Sequence, residues 1–297
     1  MVATAIASAV ISRGETSTSG LFVGDFEAGV PGWQQFEYLQ YEEDRPIEDS
    51  FQLVTSPRRQ GAKAARITVR HGYSRFGWNE DTSLVRHLGE KDGDELWYAW
   101  STYFPRDWVT PHRWGVFAEW HPNLATSPII AFDARGDTAK LDVHGGLTHE
   151  STNTFELNRS YPLLKTLSKG RWNDFVMRVR WSVDREGEIE VFHRLAGQPA
   201  LRRLVSIAGI PTFQRTSEGK GHGVYVLWGL YRGSFCEPPT ELDCQDELGV
   251  QAPSYVYQDS FTKAKTYAGA VSRAFPGLLP ELPSTNPSAV KYPLRRR

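Results

Sequence analysis

Apolar and polar residues alternate along most of this chain with a period of two, in short runs rich in Val, Ile, Phe, Tyr, Trp and Thr. Clusters of Gly, Pro, Asp and Asn separate the runs. Alternation of this kind marks strands with one buried face. The clearest predicted hairpin joins residues 171–184 to 188–195 through Arg185, Glu186 and Gly187. On its first strand Phe175, Met177, Val179 and Trp181 share a core face, and Asp174, Arg178 and Arg180 share the wet one. The run ELWYAWSTYFP (95–105) is apolar on both faces, which predicts a central strand. Helical periodicity is confined to a short turn near Tyr161 to Leu167. The expected fold class is all-β, two antiparallel sheets face to face, with Trp114, Trp120, Val179, Trp181 and Trp228 between them.

Because neighbours on a strand point to opposite faces, the apolar parity identifies the core and leaves the other parity to solvent or ligand. In 113–121 the apolar row is Trp114, Val116, Ala118 and Trp120, which assigns Phe117, Glu119 and His121 to the open face. In 223–231 the row Val224, Val226, Trp228 and Leu230 leaves Tyr225, Gly229 and Tyr231 outside. In 64–70 Ala65, Ile67 and Val69 leave Arg66, Thr68 and Arg70, and in 139–144 Ala139, Leu141 and Val143 leave Lys140, Asp142 and His144. If these strands share one sheet, cations, imidazoles and phenols line one groove. Gly229 leaves room there for a ligand to approach the sheet.

Composition narrows what such a groove could meet. The chain has 297 residues and a net charge of −1, so no global field draws it to nucleic acid or an anionic membrane, and any affinity for an anion must be local. No apolar run is long enough to span a bilayer. The opening MVATAIASAVIS resembles the apolar part of a secretory signal without its charged start, so residues 1–20 are expected to be a signal remnant or an unstructured end. Residues 21–275 are expected to form one domain, and the proline-rich stretch 276–297 to be an extended tail. Cys236 and Cys244, the only two cysteines, could close a small disulfide loop in a secreted protein. They make a poor zinc site, and no acidic loop has calcium-ligand spacing. No metal site or organic cofactor is expected, and a calcium requirement stays open. A monomer is expected.

Histidine and tyrosine side by side suit proton transfer at a sugar ring. Cleaving a uronate polymer by β-elimination needs the carboxylate neutralised, a base for the C5 proton and an acid for the departing O4. Arg66, Arg70 or Arg86 could supply the positive field, and also favour a phenolate. A glycoside hydrolase would need two carboxylates, for which Glu119 and Asp142 are candidates. The acidic string ELDCQDE (241–247) has the wrong spacing for a glucanase signature, and no G-x-S-x-G, P-loop or HExxH occurs.

The ordered segments GDFEAGVPGW (24–33), AARITVR (64–70), DELWYAWSTYFPRDW (94–108), AEWHP (118–122), SKGRWNDFVMRVRWSVDREGEIEVF (168–192), LWGLYRG (227–233) and SYVYQDSFTKAKTY (254–267) resemble the heparin lyase I-like and glucuronan lyase-like polysaccharide lyases. The resemblance covers about residues 22 to 270. It implies a β-jelly roll of two curved sheets, an anionic polysaccharide as partner, and a catalytic His and Tyr that map to His121 and Tyr231. The parity of the strands, with Arg86 as a further cation, makes Arg66, Arg70, Arg86, Glu119, Lys140, His144 and Tyr225 the candidates for substrate binding around that pair. The chain departs from the family pattern in NEDTSLVR (79–86), which keeps only Arg86, in Leu227 where a lysine is common, and in Glu119 where glutamine is common. A binding module without catalysis is the alternative the departures leave.

Overall fold

A computed structural model describes residues 22–30, 33, 50–70, 79–109, 114–217, 223–233, 252–278 and 290–291. The strands in chain order are β1 (Phe22–Gly24), β2 (Phe51–Val54), β3 (Ala64–Val69), β4 (Asn79–His87), β5 (Glu95–Phe104), β6 (Gly115–Pro122), β7 (Ile130–Arg135) and β8 (Thr138–His149). They continue with β9 (Thr154–Leu164), β10 (Arg171–Arg180), β11 (Gly187–Leu195), β12 (Arg202–Ile210), β13 (Gln214–Arg215), β14 (Val224–Gly233), β15 (Ser254–Ala264) and β16 (Val290–Lys291). A nine-stranded sheet runs β16-β12-β11-β10-β5-β15-β3-β2, with β1 also paired to β15. A seven-stranded sheet runs β13-β8-β7-β6-β14-β4, with β9 paired to β8. Every pairing is antiparallel except the short β12–β16 and β8–β13 contacts. This is the expected all-β jelly-roll sandwich.

Between the sheets lies an aromatic core. Trp100 meets Phe132 edge to face at 4.9 Å and stacks on Phe175 at 5.5 Å, while Trp120 packs on Tyr98 at 5.0 Å. Trp228 is stacked between Phe26 and Trp33. Trp120, Val179, Trp181 and Trp228 are fully buried, as the alternation predicts. Each ring removes a large apolar area from water, so their interleaving supplies much of what holds the sheets together.

Central β5 is apolar on both faces because it serves two cores. Tyr98 and Trp100 belong to the intersheet core, whereas Trp97 and Ala99 pack under helix α1 (Tyr267–Ala274) with Val176 and Phe192. Thr266 caps α1, its side chain accepting from Gly269 N–H. Sequence reading missed this helix, although Tyr267, Ala270, Val271 and Ala274 have helical spacing and are all buried. The turn expected near Tyr161 to Leu167 is instead largely the end of β9.

Two further expectations are corrected. The outer face of β10 is not uniformly wet: Asp174 is fully buried there, bonded to Arg59, Arg194 and the Ser101 hydroxyl. In β6 the pairing register slips between Val116 and Ala118 against β7, and β14 slips opposite it between Trp228 and Tyr231. Such a bulge inverts the alternation beyond it. Phe117 therefore joins the core, and Trp114 leaves the core row to pack against Tyr231.

Candidate active site on the seven-stranded sheet

The face of the seven-stranded sheet turned away from the core carries most of the expected side chains, and the register arranges them in rows. In one row Tyr225 on β14 stands opposite His87 on β4 and His121 on β6. Its ring centroid is 5.2 Å from His87 and 5.1 Å from His121. His144 on β8 lies on the same face, opposite Asn158. The next row runs Val85, Leu227, Glu119, Ala131, Asp142 and Ser160. Farther along, Tyr231 stands opposite Asp81 and Val116.

His121 and Tyr231 thus share one open face but not one row. The rows are five positions apart on β6 and six on β14, roughly 16–20 Å of strand at ~3.3 Å per residue. The bulge shortens that distance, and Gly229 between them does not open the expected room for a ligand: a Cβ there would meet the Thr82 carbonyl oxygen and Ser83 of β4.

The imidazoles have defined tautomers. His121 Nδ1 is 2.7 Å from the Pro122 carbonyl oxygen, and His144 Nδ1 is 2.6 Å from that of Pro128. A carbonyl only accepts, so Nδ1 carries the proton and Nε2 is the basic nitrogen of the neutral ring. Burial lowers the pKa of both rings, and the carbonyls oppose that shift only in part. Both are therefore neutral at pH 7.

On this face the described charges are mostly acidic. Glu119 and Asp133 are buried, and Asp81 nearly so. Lys140 Nζ lies 2.8 Å from Asp142 Oδ2 and 3.4 Å from Asp133 Oδ2. Asp142 also accepts from the Ser160 hydroxyl, and Asp133 accepts from Gly115 N–H at 2.7 Å. Burial raises the Asp133 pKa, countered by that N–H and by Lys140. Lys140 is thus a neutraliser of two aspartates before it is a free contact for an anion.

None of the three arginines joins this face. Arg66 lies on β3 of the nine-stranded sheet and Arg70 directly follows that strand, because β3 pairs with β2 and β15. Arg86 is on β4, but it shares parity with Leu84 and stands opposite Val226, on the core side. Its guanidinium lies over the Phe22 ring at 5.0 Å, and burial lowers its pKa. The side chain that β4 does offer beside Tyr225 is exposed His87, which sequence reading passed over. The position after Arg86 in an alternating strand was the signal that could have found it. Cys236 and Cys244 lie outside the described residues. Among the described residues no group of three or more His, Cys, Asp or Glu is placed to hold a metal, and no helix is long and apolar enough to cross a membrane.

A family model described as polysaccharide lyase matches residues 28–262. Among solved structures, the chain is similar to endo-β-1,4-glucuronan lyase from the fungus Trichoderma reesei, with 16% identity and a TM-score of 0.64 over 84% of this chain and 97% of that one. An alginate lyase from Aplysia kurodai matches at 10% identity and a TM-score of 0.44, over 73% of this chain and 87% of that one. The catalytic domain of a glycoside hydrolase family 131 protein from Coprinopsis cinerea matches at 12% identity and a TM-score of 0.47, over 79% and 84%. No curated protein sequence matches the chain.

Proposed function

The chain belongs to the polysaccharide lyase family, and from that premise we propose that it cleaves a uronic-acid polysaccharide by β-elimination, with His121 and Tyr231 as the proton-transfer pair. His121 Nε2 takes the C5 proton. The electrons of that C–H bond form the C4–C5 double bond, the C4–O4 bond breaks, and the Tyr231 hydroxyl protonates the departing O4. A neutral phenol carries a hydroxyl proton and suits the second task. Tyr225, in ring contact with His121, positions the imidazole. The observation that carries the reading is the neutral His121, its Nδ1 held by a backbone carbonyl, on one open face with two phenols.

The acidic surroundings favour a polymer with one carboxylate per sugar, such as glucuronan or alginate, over a sulfated one. The uronate carboxylate would meet the imidazole of His87 and a share of Lys140, with the arginines standing elsewhere. Polymers of this kind lie outside cells, which fits an extracellular protein.

Glu119 and Asp142 sit in one row two strands apart, about 10 Å between backbones, and are the carboxylates a hydrolase reading would use. Asp142 is already engaged by Lys140 and Ser160, which leaves it poorly suited to activate water. Purified protein incubated with glucuronan, alginate and neutral glucans decides the matter. Ultraviolet absorbance of unsaturated uronate, rising with new reducing ends, is expected on a uronan. Reducing ends without that absorbance would establish hydrolysis, and retardation in polysaccharide gels without either product would establish a binding module.

A further inference from the structure

The outer face of the nine-stranded sheet, opposite to the groove, is divided into three zones. Helix α1 covers one end, over Trp97, Val176 and Phe192. The buried ion cluster of Asp174, Arg59 and Arg194 fills the middle. At the other end the register sets Trp172 on β10, Tyr103 on β5, Tyr257 on β15 and Arg66 on β3 in one cross-strand row. Tyr255 follows two positions along β15 on the same face.

These rings belong to neither apolar cluster of the protein. The three tyrosines are half-buried, presenting part of each ring to solvent. Successive centroids are 5.5 Å (Trp172 to Tyr103), 5.6 Å (Tyr103 to Tyr257) and 5.8 Å (Tyr257 to Tyr255), each pair meeting edge to face. The Arg66 guanidinium caps the strip, 4.4 Å over the Tyr255 ring. Among the described residues Arg66 has no carboxylate in ion-pair contact, and its Nε has no hydrogen-bond partner. The Tyr255 hydroxyl donates to Asp107 at 2.9 Å, which fixes that ring and occupies the nearby carboxylate.

Aromatic rings offer apolar faces to sugar C–H groups and phenol hydroxyls to sugar oxygens, while a guanidinium matches a carboxylate in a fork. We propose that this strip is a second binding site for a uronic-acid polymer, holding a stretch of chain on the face opposite the cleavage groove. The inference rests on the proposed lyase function for the identity of the polymer. Edge-to-face rings make a corrugated strip rather than a plate, suited to a single twisted polymer chain. Cross-strand aromatic pairs also stabilise sheets, by about 0.2–1 kcal/mol each. Packing alone would make ring removal a matter of thermal stability and leave polymer affinity untouched.

The test uses the full chain and two single variants, Arg66→Gln and Tyr257→Ala, in gels containing glucuronan or alginate and in rate assays on the polymer and on short oligouronides. Thermal unfolding checks that each variant is folded. Arg66→Gln removes a side chain that has no ion-pair partner among the described residues and keeps the test valid if Tyr257→Ala does not fold. The expected result is several-fold weaker retardation and a several-fold higher KM on polymer, with oligouronide cleavage unchanged. Folded variants that retain wild-type retardation and polymer KM overturn the second site while leaving the lyase function standing. A wild type that yields no unsaturated product, yet is retarded in a manner that Arg66→Gln abolishes, overturns the lyase function and retains the site.

Discussion

Tyr225 stands directly opposite His121 across β14 and β6, and their rings meet at 5.1 Å. The contact places the phenol nearest to the proposed base on a residue other than the proposed acid, so two tyrosines on one strand must be separated by their effects. Tyr231→Phe is expected to lower kcat by several orders of magnitude with polymer binding retained, because it removes the proton for O4 and little packing. Tyr225→Phe keeps the ring against His121 and should cost less than tenfold. Steady-state rates of unsaturated product formation check both, and the opposite ranking would transfer the acid role to Tyr225.

Because burial holds the His121 pKa below the ordinary value near 6.5, the base form persists into mildly acidic solution. The acidic limb of kcat/KM against pH should therefore have its midpoint below about 6.5 and vanish in His121→Gln together with most activity. A limb centred well above neutrality would contradict the tautomer and environment described for this ring.

Among the described residues Asp174 is the only carboxylate bonded to both Arg59 and Arg194, at 2.7 and 2.9 Å, and it is fully buried. Asp174→Ala leaves guanidinium groups buried without their counter-charge. A loss of about 3–5 kcal/mol in unfolding free energy is expected from urea denaturation. Arg178→Ala, by contrast, opens a network with Glu95, Glu188 and Glu190 at the surface, and should cost about 1 kcal/mol or less.

Two buried groups of the nine-stranded sheet oppose one another in pH dependence. Burial pushes His193 down to about 4, so it favours the fold when neutral and that contribution is lost as pH falls from about 6.5 through 4. Burial pushes Asp259 up to about 7, so its contribution is present in acid and lost as pH rises from about 4 through 7. The windows overlap with opposite slopes, which flattens the stability profile of the native protein. Denaturation midpoints measured from pH 4 to 7 should fall with rising pH in His193→Gln and rise with it in Asp259→Asn.

Parity along single strands was legible wherever the pairing was regular. Ala65, Ile67 and Val69, the Leu141 and Val143 row, and the Val226 and Trp228 row all point into the core. In β6 it failed on one side of the bulge, because a bulge is a property of two strands together and leaves no mark in the alternation of either. Phe117 and Trp114 exchanged faces for that reason. Arg86 misled for another: β4 buries Glu80 and Thr82 on its core side, where Glu80 meets Arg232 at 2.5 Å, so apolar character did not label the faces. Assigning Arg66 to the other sheet required knowing that β3 pairs with β15, a partnership across nearly two hundred residues.

The position of β15 also governs how the chain reaches its fold. This strand, residues 254–264, is hydrogen-bonded between β5 and β3 near the middle of the nine-stranded sheet, and its own Asp259 accepts from Arg59 N–H two hundred positions upstream. During synthesis the β5 and β3 edges face one another across a gap until almost the whole chain has emerged. So high a contact order makes for slow, concerted folding rather than growth from the N-terminus. A chain cut short before residue 254 would carry two exposed interior edges, open to pairing with other molecules, and would accumulate as aggregate rather than as a smaller sandwich.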